Sequence, residues 1–287
     1  MSVKFGPSLN IVCGPNGVGK TTILDAIGSI FVANYPIETL RRRAGCRERE
    51  IRYVAAVDGN LMEGVGKITS FNPGERMQPF GLPNQSKNVI YVKSNRDISY
   101  TQLAGLMRDP NKDEGGTQTE VVNGISTTDV KQWFSNRHLM SPHGKNWPAH
   151  RLQNYQTATR IFSILDATVV LDHVDSSSFD IMLRTPSGVI PFEYMSAGFR
   201  TAYGLILGIL EEIEFRKLDI SAGEFGGLIL VDELDLHLHP SWHGPMLDAI
   251  VQAYPAAQIV VTTHSPHMIQ TARSDSIIIL PRDGHEQ

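Results

Sequence analysis

The residues most able to do chemistry begin with a glycine-rich segment near the N-terminus. Residues 14–21 have the sequence GPNGVGKT, which fits the pattern G-x-x-x-x-G-K-[ST]. Glycines let the backbone bend until its N–H groups point at phosphate oxygens, and the following helix N-terminus adds its positive dipole end. Lys20 would place a charge on the β- and γ-phosphates, and the Thr21 hydroxyl would ligate Mg²⁺. The segment predicts a nucleotide-phosphate site, although a chance glycine turn before a helix has the same local pattern. The candidate binding residues are Pro15, Asn16, Gly17, Val18, Gly19, Lys20, Thr21 and Thr22.

Two acidic residues at the end of an apolar run could complete this site. The run LILV at residues 228–231 is followed directly by Asp232 and Glu233. Asp232 would hold Mg²⁺, directly or through water, and Glu233 could polarise an attacking water. Alone, the pair would equally well be solvated carboxylates at a strand end. Together with the glycine loop, they predict hydrolysis of a bound nucleotide by water.

A second polar group follows in the C-terminal third of the chain. Ser196 stands where a helix begins, and Gly198 would allow another backbone to approach closely. Free N–H groups and a hydroxyl there could bind an anion, but serine is also a common helix cap. His264 follows an apolar strand pattern and could contact a γ-phosphate and the attacking water, or simply end the strand.

These residues need an α/β framework to position them. Apolar runs at both ends of the chain alternate with helical patterns, which predicts a parallel sheet with right-handed crossovers. The middle has short alternating strands separated by turns, which predicts an antiparallel lobe. The predicted core strands are 9–13, 228–231, 258–262 and 276–280. One predicted core helix starts at residue 20, and two others cover residues 199–215 and 245–253. The lobe strands are 51–57, 64–71 and 88–93 with turns at 58–60 and 72–74; 109–128 is a loop, 129–139 and 150–165 are helices, and 169–171 with 179–183 form a hairpin.

The motifs together resemble ABC-type ATPases of the SMC/RecF/OLD branch. The segments PSLNIVCG and GPNGVGKTT are similar to this branch, and YMSAGFR at residues 194–200 resembles the ABC signature, whose common form is LSGGQ. The segment VTTHSP at residues 261–266 resembles the switch-histidine region, and the order of the motifs matches the family's. Within the branch, DELDLHLHP at residues 232–240 and the short arm between residues 30 and 191 most resemble small ATPases of bacterial anti-phage systems, such as the OLD-like and Septu ATPases.

This resemblance implies a P-loop NTPase fold of the ABC ATPase head type, using ATP and Mg²⁺. It implies a core from residues 1–35 and 190–287, an antiparallel β lobe at 36–100 and a helical insertion at 101–189. It also implies head-to-tail dimers around two ATP molecules, in which Ser196 and Gly198 face the γ-phosphate held by the other protomer. Lys20, Glu233 and His264 are then the catalytic residues, and Thr21 and Asp232 hold the metal.

Biologically, the resemblance implies a switch acting on a separate effector, a nuclease or toxin, in anti-phage defence. A nucleotide-gated binding subunit with little turnover is one alternative, and an SMC- or RecF-like DNA repair ATPase is another. The segment between residues 30 and 191 lacks sustained heptads, so no long coiled coil is expected. The chain stops soon after residue 280, so we expect destructive chemistry to lie in another chain.

Some segments depart from the family's pattern or have more than one interpretation. The usual leading strand before residue 2 is missing, and no glutamine fits the Q-loop, which leaves Asn95 and Arg96 as candidates. Four histidines could suggest zinc, but no single conformation brings them together. These histidines are His237, His239, His243 and His267. The resemblance explains the LHP segment better as part of the D-loop, which lies against the dimer partner, and it implies that Asp235 contributes to that interface.

Composition limits the partners. The formal net charge is −4, so any nucleic-acid binding must come from a local patch or another chain. The most basic stretch, residues 41–52, is interrupted by Glu48 and Glu50, which favours a solvated face over a DNA surface. Cys13 and Cys46 cannot form a disulfide framework, and Cys13 is expected to pack beneath the glycine loop. No signal peptide or membrane span is evident, so a cytoplasmic protein without membrane contact is expected.

Overall fold

The computed structural model describes residues 2–40, 48–57, 59–69, 72, 74–96, 100–141 and 147–281. Its strands are β1 (Leu9–Cys13), β2 (Arg49–Val57), β3 (Asn60–Ile68), β4 (Val89–Val92), β5 (Val170–Val174), β6 (Ile181–Thr185), β7 (Gly188–Pro191), β8 (Leu228–Val231), β9 (Gln258–Thr263) and β10 (Ile277–Ile279). Its helices are α1 (Lys20–Ser29), α2 (Glu114–Asn123), α3 (Val130–Met140), α4 (Ala149–Leu165), α5 (Ala197–Phe215), α6 (His243–Ala253) and α7 (Pro266–Thr271).

The central sheet is parallel and has five strands in the order β10-β1-β9-β8-β4. Successive residues of its strands face opposite sides, so Ile11 and Val261 belong to one hydrophobic cluster while Val12 and Val260 belong to the other. Helix α5 packs in the first cluster, and α1 and α2 pack in the second. Because both faces are covered, the strands are continuous apolar runs, and the predicted parallel α/β core is confirmed.

Strand β4 corrects one prediction. We expected residues 88–93 in the antiparallel lobe, but β4 pairs in parallel with β8, from Val89 opposite Leu228 to Val92 opposite Val231. All four of its residues are buried, which a half-exposed lobe strand would not allow. The lobe itself is the β2–β3 hairpin, paired from Arg49 opposite Ile68 to Val57 opposite Asn60. Asp58 and Pro73, in the two predicted turns, lie outside the described residues.

The prediction of a loop at residues 109–128 was also wrong, because this segment contains α2. The Asp113 side chain caps this helix by accepting the Gly116 N–H at 2.8 Å, and Gly124 ends it at a φ of 87°. Helices α3 and α4 are confirmed, and the predicted hairpin is a three-stranded antiparallel sheet of β5, β6 and β7. The domain boundaries at residues 36, 101 and 190 stay a prediction, apart from the placement of β4.

Helix α4, which lies in the predicted insertion, packs against α5. Phe162 of α4 stacks on Tyr203 of α5 with ring centroids 3.6 Å apart, and the Tyr203 hydroxyl donates to the Ala158 carbonyl. Burial raises the pKa of Tyr203, so this phenol stays a neutral donor. Within the described part of the chain, none of the helices has the length and apolar character needed to span a membrane.

Candidate nucleotide site

The glycine loop connects β1 to α1, as its sequence predicts. Gly14, Gly17 and Gly19 have φ values of 150°, 77° and 103°, a region that side chains with a Cβ rarely adopt. A Cβ at Gly14 would also lie 2.8 Å from the Leu280 carbonyl oxygen, so glycine is required there on two grounds. Cys13 is buried directly before this loop, and burial raises the pKa of its thiol.

Lys20 folds back across this loop. Its Nζ donates to the carbonyl oxygens of Gly14 at 2.7 Å and Pro15 at 2.9 Å. The side chain is buried, and that burial lowers its pKa, while the nearby carboxylate of Asp232 opposes the shift. The ammonium therefore lies against the glycine loop, and its contact with nucleotide phosphates stays a prediction.

Thr21 and Asp232 meet although they are 211 positions apart. The Thr21 hydroxyl lies 3.1 and 3.0 Å from the two carboxylate oxygens of Asp232, at the carboxyl end of β8. Thr262, on the neighbouring strand β9, also donates to Asp232 Oδ1 at 2.6 Å. A carboxylate beside a hydroxyl is a set of hard oxygen donors, so these residues fit Mg²⁺.

Glu233 and His264 lie together at the same edge of the sheet. Glu233 Oε1 is 3.6 Å from His264 Nε2, and both side chains are about one-third exposed, at 35% each. Glu233 has a φ of 49°, and its N–H donates to the Thr262 hydroxyl at 2.7 Å. The His264 N–H donates to Asp235 Oδ1 at 3.3 Å, so Asp235 also belongs to this edge.

Ser196 and Gly198 form the first turn of α5. The Ser196 side chain caps the helix by accepting the Phe199 N–H at 3.3 Å, and the residue is exposed. A Cβ at Gly198 would lie 2.8 Å from the His237 carbonyl oxygen, so glycine allows the loop after β8 to touch α5. The cap interpretation of Ser196 is thus confirmed, and its contact with a nucleotide stays a prediction.

The histidines after Asp232 make other contacts. His239 Nδ1 lies 2.8 Å from the Ser241 hydroxyl, and His243 Nδ1 lies 2.9 Å from the Ser265 hydroxyl. Across the residues that the structure describes, no three His, Cys, Asp or Glu side chains are grouped as a metal site.

The basic stretch is only partly described, because Arg41, Arg42, Arg43, Cys46 and Arg47 lie outside the described residues. Arg49 and Arg52 lie on β2, where Arg52 is exposed and forms a 3.0 Å ion pair with Glu50. Pairing of this kind is typical of the solvated face that we expected.

Thr262 and Asp25 had no predicted role, and Arg96 was predicted only as a candidate at the Q-loop position. Thr262 joins Asp232 to Glu233, and Arg96 donates to the main chain of both acids. Asp25, one helical turn beyond Thr21, accepts from the hydroxyls of Tyr35 at 2.9 Å and Tyr91 at 3.2 Å. The threonine pair in VTTHSP was the available signal for Thr262, since hydroxyls at a strand end can reach a neighbouring strand end.

Comparison with known proteins agrees with this geometry. Two family models, each described as an AAA domain, match residues 2–156 and 133–269, and the second description adds the AbiEii toxin of a type IV TA system. Septu protein PtuA of Bacillus thuringiensis is 38% identical and aligns with 99% of this chain and 72% of that protein. The chain belongs to the Septu PtuA family.

Another PtuA, from Bacillus mycoides, is 30% identical and aligns with 94% of this chain but only 36% of its own length. Among solved structures, an SMC head bound to the C-winged helix domain of ScpA superposes with a TM-score of 0.55 at 15% identity, over 98% of this chain and 90% of that one. The PtuA-family chain therefore has the P-loop NTPase fold of SMC heads, and its predicted resemblance to small bacterial defence ATPases is confirmed.

Proposed function

We propose that the protein binds ATP with Mg²⁺ and hydrolyses the γ-phosphate with water. The observation that carries this proposal is the contact of Thr21, at the start of α1, with Asp232, at the end of β8. It brings the phosphate loop and the acidic strand end into one site. Membership of a family with AAA domains, and the fold of SMC heads, supports the same chemistry.

Each residue has a role that its position supports. The loop N–H groups and Lys20 bind and neutralise the phosphates, and Glu233 orients the water and accepts its proton. His264, 3.6 Å from Glu233, contacts the γ-phosphate side of the site. Thr21 and Asp232 would hold Mg²⁺, which when bound supplies further positive charge to the phosphate oxygens.

The proposal also includes a head-to-tail dimer with one ATP at each shared surface. Ser196 and Gly198 would then complete the site of the other protomer, because the exposed first turn of α5 presents N–H groups and a hydroxyl. In bacterial anti-phage defence, this dimer would switch a separate effector, a nuclease or toxin. The SMC-head fold supports this arrangement, and DNA contact would come through the partner.

Glu233→Gln tests the hydrolytic role. The amide keeps the size of the side chain but cannot accept the proton, so phosphate release should slow by about a hundredfold or more. ATP binding should remain, because phosphate contacts come from the glycine loop. Fluorescent-nucleotide titration and steady-state phosphate release measure both properties.

Glu63→Gln, on the exposed face of β3, is the matched control and should keep the wild-type rate. Wild-type turnover by Glu233→Gln would contradict the assignment. Negligible phosphate release by the unchanged protein, with ATP bound and with or without DNA, would favour the nucleotide-gated binding subunit instead.

A further inference from the structure

Arg96 makes an unusual pair of contacts in the loop after β4. Its Nη2 donates to the main-chain carbonyl oxygen of Asp232 at 2.7 Å and to that of Glu233 at 2.5 Å. The residue is only 7% exposed. One guanidinium nitrogen is therefore shared by two consecutive carbonyls, and these belong to the two acids of the nucleotide site.

The contact to Glu233 acts on a strained backbone. With a φ of 49°, Glu233 is in the left-handed region, which is unfavourable for a residue with a Cβ. Thr262 holds the N–H of Glu233, and Arg96 holds its carbonyl oxygen. Both peptide units that flank the Cα of Glu233 are thus tied to neighbouring strand ends, which determines where its side chain points.

The charge of Arg96 acts in the same place. Burial lowers the pKa of this guanidinium to about 10, and the carboxylates of Asp232, Glu233 and Asp235 oppose that shift. At neutral pH the group remains a cation and reduces the repulsion among these carboxylates.

Stability alone does not account for this placement. Arg96 Nε and Nη1 are buried without a hydrogen-bond partner in the described part of the chain, and buried unpaired donors cost free energy. Arg96 also lines a cavity of about 250 Å³ with Ala197 and Thr201, near the start of α5, and with His237. It therefore lies between Glu233 and the exposed end of α5.

We propose that Arg96 is a positioning residue that holds the main chain of Glu233 in its left-handed conformation, so that the carboxylate is aimed at the attacking water. This inference rests on the proposed role of Glu233 in hydrolysis. Arg96 itself need not touch the nucleotide.

The first test is Arg96→Lys, which keeps the charge but replaces the planar guanidinium by a single ammonium. We expect kcat to fall by about tenfold to a hundredfold, with ATP affinity within about twofold of wild type, because misplacing a reacting group affects the transition state more than ground-state binding. Stopped-flow nucleotide binding and phosphate release separate the two quantities. A thermal melt shows whether the variant folds.

Arg216→Lys is the matched control. Arg216 is a fully buried arginine that also donates to main-chain carbonyls, those of Ser86, Lys87 and Val89, but it lies at the end of α5 away from the two acids. We expect it to lower the melting temperature and leave kcat per folded molecule unchanged. An equal loss of kcat in both variants would show that any buried arginine has this effect, and would overturn the proposal.

The decisive test repeats Arg96→Lys in the Glu233→Gln background. If Arg96 acts through Glu233, its substitution should change the remaining hydrolysis by less than about twofold. The same factor in both backgrounds would overturn the positioning role but leave the proposed function intact. Wild-type turnover by Glu233→Gln alone would instead contradict the proposed function. If Arg96→Lys does not fold, the same rates are compared with Arg96→Gln, which retains an N–H donor.

Discussion

At the scale of single residues, the candidate site depends on hydroxyl groups as much as on charged side chains. A hydroxyl can donate and accept at once, and Thr262 does both, donating to Asp232 and accepting from the Glu233 N–H. It is therefore the direct link between Asp232, the proposed metal ligand, and Glu233, the proposed base.

Thr262→Val should expose the importance of that link. Valine keeps nearly the same shape but has no hydroxyl, so Asp232 loses a donor and the Glu233 N–H loses its acceptor. We expect phosphate release to slow by about tenfold, equivalent to about 1.4 kcal/mol in the barrier. Steady-state assays at saturating ATP measure this change.

Thr117→Val is the control, because Thr117 is also buried but lies in α2, where its hydroxyl contacts Ser86 and the Glu114 carbonyl. It should lower stability without slowing hydrolysis. A wild-type rate for Thr262→Val would show that the link is dispensable.

Local motifs predicted part of this site, and non-local contacts hid the rest. Lys20 and Thr21 follow from a contiguous pattern that determines both loop and helix start. The roles of Thr262 and Arg96 depend on which strand ends become neighbours, and Arg96 is 136 positions from Asp232. No spacing rule within one segment could have located those contacts.

At the scale of secondary-structure elements, the C-terminal end of α5 is a buried charged region. Glu212 there forms ion pairs with Lys112 and Arg216, and burial raises the pKa of Glu212 to about 7. The positive charge of Arg216 opposes this rise in the pKa of Glu212, and the negative charge of Glu120 adds to the rise.

This shift predicts a pH-dependent stability. The pKa of Glu212 in the folded protein is raised from an ordinary value of 4.5. The contribution of this side chain to the free energy of unfolding is therefore fully present below pH 4.5 and is lost as the pH rises through about 7. As the pH rises from roughly 5 to 8, the wild type should therefore lose free energy of unfolding that Glu212→Gln keeps. The difference between the two proteins should shift by about 1–3 kcal/mol in favour of the variant. Urea unfolding at the two pH values measures the difference.

The exposed Glu63→Gln should keep the wild-type pH dependence. Parallel pH profiles for wild type and Glu212→Gln would mean that Glu212 titrates normally.

The elements that sequence patterns misassigned share a physical cause. The run VIYV of β4 has the composition of any short strand, and only burial on both faces distinguishes a parallel core strand from a lobe strand. Helix α2 contains two glycines and two threonines, which are poor helix formers, and contacts of Thr117 and Val121 in the interior offset that. By contrast, α5 was predictable because its apolar pattern runs through nearly its whole length.

At the scale of the whole molecule, the chain has the parts of an ATPase head and a net charge of −4. The phosphate loop, the two acids and His264 come together within one chain. The first turn of α5 instead presents Ser196 at the surface, where a second copy could use it. This distribution fits the proposed ATP-dependent dimer, in which a second protomer would contact the bound nucleotide.

The most direct test is the molar mass of Glu233→Gln measured by light scattering with ATP–Mg²⁺ and with ADP–Mg²⁺. We predict that ATP alone doubles the mass. Ser196→Asp in the same background should prevent the doubling, because aspartate still caps the helix but repels a γ-phosphate, whereas the neutral cap Ser196→Asn should retain it. A mass that is the same in ATP and ADP, or doubling that is unaffected by Ser196→Asp, would contradict the proposed ATP-dependent dimer.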